Sequence, residues 1–170
     1  MQHDNAGKVR DAGNPLTVIS KTSTPCIELT PSELVLIEPQ LNAAQAEIAR
    51  VERLSTVHRT PAAGAGTMIW HEWGAPSATP LVLLHGGFGS WMHWIRNVEA
   101  LACRYRVFAA DIPGLGGSAH AADSRAPESI GGVVIDGVRA LIGDAPFHMT
   151  GFSFGGLISG QVGKQLREQV

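Results

Sequence analysis

Residues 148–156 read HMTGFSFGG, and the fold and the chemistry of this chain turn on them. Within that stretch Gly151, Ser153 and Gly155 form a GxSxG pattern followed by Gly156. A serine hydroxyl becomes a useful nucleophile when it is presented to solvent and to a base, and a sharp strand-to-helix turn does this. Such a turn strains the serine backbone and crowds the chain two residues to either side, which gives both glycines a steric reason. It also puts Ser153 at a helix N-terminus, where free amides and the positive end of the helix dipole stabilise an oxyanion. Taken alone the pattern is short, and a glycine-rich turn with a capping serine matches it equally well.

Outward from the elbow the chain alternates. Before it lie Leu81 to His85 and Arg106 to Ala110, unbroken apolar runs of the kind found in strands buried on both faces, and Phe147 to Phe152 is a third. Helical spacing marks Ser90 to Ala102, a segment from Ile130 to Ile142, and the residues after Ser153 through Leu157, Ile158, Val162 and Leu166. Strand and helix in strict alternation predict an α/β fold, a doubly wound and mostly parallel sheet covered on both faces. Val57 to Thr60 and Thr67 to Trp73, joined by PAAGAG, predict two antiparallel strands. Further upstream TPSE at Thr30 has the form of a capping box, and Leu41, Ala44, Ile48, Val51 and Leu54 make a helical stripe beginning near Pro39, read as a packing face with a dimerisation helix as the sharper alternative. The expected organisation is a loose arm over 1–30, a helical segment over 31–56 and an α/β unit over 57–170.

Composition narrows the function. Lys and Arg number 13 against 15 Asp and Glu, a net charge of −2 that leaves no basic surplus for nucleic acid or an anionic membrane. The two cysteines make neither a disulfide framework nor a zinc spacing, and the polar start and short apolar runs predict a cytoplasmic protein without a signal peptide or spanning helix. No grouping of His, Cys and carboxylates has metal-ligand spacing; HEWGA at His71 lacks the second histidine of HExxH. GLGGSA at Gly114 formally matches a dinucleotide fingerprint, but a proline-led loop precedes it and no helical stripe follows, so no cofactor is expected.

LVLLHGGFGSWMHW over 81–94, RVFAADIPGLGGS over 106–118 and HMTGFSFGG over 148–156 together resemble the first half of an α/β-hydrolase-fold enzyme of the serine type, across about residues 57–168. The resemblance implies Ser153 as nucleophile and the amides of Gly87 and Phe154 as the oxyanion hole. It makes His85, Gly86 and Asp111 structural, with Trp91 and Trp94 as candidate pocket walls, although two tryptophans on an apolar helix face also suit a core. A serine at the elbow disfavours the aspartate-nucleophile relatives. The family orders its triad Ser, Asp or Glu, His, yet only 17 residues follow Ser153; they include Glu168 and no histidine. The chain is therefore expected to be the N-terminal half only, truncated after the elbow helix, with a small-molecule substrate if completed and an exposed sheet edge open to self-association. Among upstream histidines, His148 stands five residues before Ser153 in one strand, about 16 Å away at the usual rise. His85 remains the one surrogate base to consider.

Overall fold

A computed structural model describes residues 30–64 and 66–170; the expected arm over 1–30 falls outside these, apart from Thr30. Residues 38–170 form one compact unit, and every contact given below lies within it.

The two unbroken apolar runs become β3 (Thr79–Leu84) and β4 (Tyr105–Ala110). They pair in parallel, Leu81 against Val107 through Leu84 against Ala110. Alternate side chains leave each strand on opposite faces. Leu81, Leu83, Val107 and Ala109 pack with Trp73, Trp91 and Val98 on one side. Val82, Leu84, Phe108 and Ala110 pack on the other with Ile130, Val134 and Val138 of α3 (Pro127–Ile142) and Ile158 and Val162 of α4 (Phe154–Gln165). Double-sided burial is why these strands read as continuous rather than alternating.

The sheet runs β1-β2-β4-β3-β5, with β1 at Thr56–Pro61, β2 at Thr67–Trp73 and β5 at His148–Gly151. β2 is antiparallel to both of its neighbours, while β3 is parallel to β4 and to β5. Four strands thus share one direction and β2 opposes them, so the sheet is mixed in its pairing. From β3 the chain crosses to β4 through α2 (Val98–Ala102) on one face. It then returns past β3 to β5 through α3 on the other face. This change of direction leaves a crevice beyond the carboxyl ends of β3 and β5, the place where ligands bind in such sheets.

Three local expectations need correction. The helix expected over Ser90–Ala102 is split into a 3₁₀ turn at Trp91–Trp94 and the short α2. The N–H groups of His93, Ile95 and Asn97 donate to the carbonyls of Ser90, Met92 and Trp94, three residues back, so the segment winds as tight 3₁₀ turns where bonds four residues back would make a helix. β5 stops short at both ends, because Phe147 N–H donates to Gln169 O and the chain bends at Phe152. The first helix, α1 (Pro31–Arg53), begins at Pro31 and carries Pro39 inside it. Its stripe is also narrower than expected. Leu41 and Leu54 are exposed, whereas Val51 is buried with Ile48 beside it, and Val51 O accepts the Trp73 indole N–H at 3.0 Å.

Candidate active site

β5 enters the elbow at Gly151, and Phe152 N–H donates to Leu84 O at 3.0 Å, tying the turn to the end of β3. Ser153 follows with φ 52° and ψ −113°, and α4 starts at the next residue. For a residue with a Cβ this is a sparsely populated conformation, costing about 1–3 kcal/mol. Crowding explains the flanking glycines. A Cβ on Gly151 would run into the Gly155 carbonyl, and one on Gly155 into the carbonyl oxygens of Leu84 and His85. Ser153 is exposed, and its hydroxyl caps no amide of the helix it opens.

Across the crevice runs the loop 85–89. His85 is fully buried, and both ring nitrogens are committed: Nδ1–H donates to Gly86 O at 2.7 Å and Nε2 accepts the Ile112 N–H at 3.0 Å. Burial holds this imidazole below its ordinary pKa. With no lone pair to spare, His85 is no surrogate base. Gly86 must be small because a Cβ there would meet the Phe152 ring, and its N–H donates to His93 Nδ1 at 3.3 Å. Gly87 lies in open space, where a Cβ would meet nothing within 4 Å. Among the described residues neither Gly87 N–H nor Phe154 N–H donates to a protein acceptor. Two unclaimed amides and a helix N-terminus are what an oxygen acquiring negative charge requires.

Asp111 is buried and fully used as a clamp. Oδ1 accepts the Trp91 N–H and Oδ2 the Gly117 N–H, each at 2.7 Å, joining the 3₁₀ turn to the loop after β4. Gly116, at φ 55°, sits where a Cβ would strike that carboxylate. The Gly114 motif leads through this loop, and no helix follows until Pro127. Trp91 is a core residue, its ring tilted against His71 at 4.8 Å and Trp73 at 5.5 Å. Trp94, by contrast, joins His93 and Phe152 around a cavity of about 340 Å³. Sequence reasoning missed His93 and Phe152 as wall residues. Phe152 had a signal, being the first variable residue of GxSxG, but nothing in the spacing marked His93.

No imidazole among the described residues is hydrogen-bonded to the Ser153 hydroxyl. His148 lies at the opposite end of β5 with its ring against Tyr105, His120 pairs with Ser124 Oγ at 3.2 Å, and His58 with Glu72 at 2.6 Å. His71 is buried beside Ser55 Oγ at 3.2 Å, and that burial lowers its pKa. Among the described residues no cluster suits a metal ion, and no helix is long and apolar enough to cross a membrane.

A sequence profile of the alpha/beta hydrolase fold family matches residues 79–170. The dihydrolipoyllysine-residue acetyltransferase component of the acetoin cleaving system of Pseudomonas putida is 36% identical over 96 residues, covering 56% of this chain and 26% of that protein. An uncharacterized carboxylesterase of Bacillus subtilis is 34% identical over 90 residues, 49% of this chain and 28% of the relative. Among solved structures, a carboxylesterase from Bacillus subtilis superposes with a TM-score of 0.62 at 26% identity, covering 78% of this chain and 47% of that one. The chain thus spans about a quarter of the length of these curated relatives, and under half of the solved structure.

Proposed function

The chain belongs to the α/β-hydrolase fold family, and from that premise we propose that it carries the nucleophile and oxyanion half of a serine hydrolase. In this reading Ser153 Oγ attacks the carbonyl carbon of a small ester, thioester or amide, or the carbonyl beside an activated carbon–carbon bond. The π pair moves onto the carbonyl oxygen, which the N–H groups of Gly87 and Phe154 receive. Collapse of the tetrahedral adduct expels the leaving group, and water then releases the acyl group from Ser153. What supports this reading is an exposed serine held at φ 52° at a helix N-terminus, together with the Gly87 and Phe154 amides, which no protein group among the described residues claims.

The general base is proposed to come from outside these 170 residues. Without a positioned base the hydroxyl stays protonated and weak, so the chain by itself is an inert half-fold. Chemical rescue tests both parts. An alkyl fluorophosphonate is expected to leave Ser153 unmodified in plain buffer, and to label it when imidazole is added at high concentration as a free base. The oxyanion hole and substrate binding together are worth about 10³–10⁴-fold over water in enzymes stripped of their triads. Rapid labelling without imidazole overturns the missing base. Rescue that is absent, or that persists in Ser153→Ala, overturns the nucleophile.

A further inference from the structure

We propose that the cavity bounded by His93, Trp94 and Phe152 is the acyl subsite and that it selects an aromatic acyl group; this rests on Ser153 being the nucleophile. Phe152 is covalently joined to Ser153, and His93 holds Gly86, the neighbour of the Gly87 amide. The cavity wall is thus built from the elbow that carries Ser153 and from the residue bonded to the loop that carries the Gly87 amide, which is why the acyl group is assigned to it. At about 340 Å³ it exceeds the roughly 150 Å³ that suffices to hold benzene in an apolar protein cavity.

All three wall residues are aromatic, and their arrangement is already set. The His93 and Phe152 rings meet edge to face, 6.1 Å apart at 72°. His93 is fixed at Nδ1 by the Gly86 N–H, and its ring fills the space above Gly89. Trp94 packs back onto the core cluster of Leu83, Val98 and Val107. Rings held in such geometry favour a further ring through edge-to-face or offset contacts beyond what area burial gives. A flexible aliphatic chain gains the burial without the ring contacts, and loses more rotamer freedom. The wall is also assembled before any ligand arrives, so ordering it costs little on binding.

Boronic acids read this site in the chain as it stands. Ser153 Oγ donates a lone pair to boron, its proton passes to buffer, and the product is a tetrahedral boronate anion, with no leaving group and no protein base required. Phenylboronic acid and methylboronic acid share that step, but phenylboronic acid is the stronger Lewis acid. Each affinity is therefore taken relative to the same acid's affinity for hydroxide, and the ratio read on that corrected scale reports what enters the cavity. Titration followed by amide NMR is expected to give phenylboronate at least about tenfold tighter binding, with nuclear Overhauser contacts from the phenyl protons to the Trp94 ring. The affinity ratio should fall to near one in Trp94→Ala; should that variant unfold, Trp94→Leu keeps most of the packing and is expected to lower the ratio at least threefold. Both ligands should lose binding in Ser153→Ala. Equal affinities in the unmodified chain, or a ratio that survives both Trp94 substitutions, overturns the subsite and leaves the nucleophile standing. Failure of both boronates to engage Ser153 overturns the nucleophile, and the subsite with it.

Discussion

Replacing Ser153 by glycine should make the protein more stable, which is an unusual outcome for a substitution that adds backbone freedom. At φ 52° and ψ −113° a Cβ-bearing residue is strained by about 1–3 kcal/mol, and glycine removes that strain. Glycine also loses more entropy on folding, a cost of about 0.4–1 kcal/mol. The exposed Ser153 side chain makes no capping bond that would be forfeited. The net gain is therefore about 1 kcal/mol, or about 2–4 °C in Tm for a chain of this length. Alanine supplies the control: it deletes the hydroxyl and keeps the Cβ, so Ser153→Ala should stay within about 0.5 kcal/mol of the parent. Urea unfolding of the three proteins side by side, with equal m-values, measures the difference. Ser153→Gly less stable than Ser153→Ala would refute the reasoning, because it would mean that no strain is stored at the elbow.

Glycines in α4 should divide by their surroundings. Gly155→Ala drives a methyl into the Leu84 and His85 carbonyls and is expected to cost about 2–4 kcal/mol, whereas Gly160→Ala meets open space within the helix and should gain about 0.5–1 kcal/mol; equal effects in thermal melts would contradict the packing of the elbow on β3. Stability should also fall as the solution is acidified below the ordinary histidine value of about 6.5. Burial lowers the pKa of His71 and His85 in the folded state, so over that window the unfolded chain binds the protons that the folded one refuses, at up to about 1.4 kcal/mol per pH unit for each; unfolding free energies that stay flat from pH 7 towards 5 would argue against both burials. Among the described residues β5 has no strand on its outer side, and sedimentation is expected to show concentration-dependent association that Thr150→Lys reduces. A chain that remains monomeric at its solubility limit would show that this edge is not sticky.

Much of this was legible because the decisive features are local. A strand buried on both faces announces itself as an apolar run, as Leu81–Leu84 and Val107–Ala110 do. The elbow announces itself because backbone crowding leaves only glycine at 151 and 155. What escaped is set by distant partners. Nothing near Trp91 indicates that its amide goes to Asp111, twenty residues on, and so ties the 3₁₀ turn to the loop after β4. The separate fates of Trp91 and Trp94 follow from which face of the 3₁₀ turn meets Trp73 and His71. The commitment of His85 Nε2 depends on Ile112 in another loop.

The central claim is that Ser153 stands before the amides of Gly87 and Phe154, and the most direct measurement is the response of those two resonances to a tetrahedral anion built on the serine. With methylboronic acid added at alkaline pH, the Gly87 and Phe154 N–H signals should move downfield together as the adduct forms, and neither should move in Ser153→Ala. An adduct at Ser153 that leaves both signals in place, or that shifts other amides instead, would contradict the account.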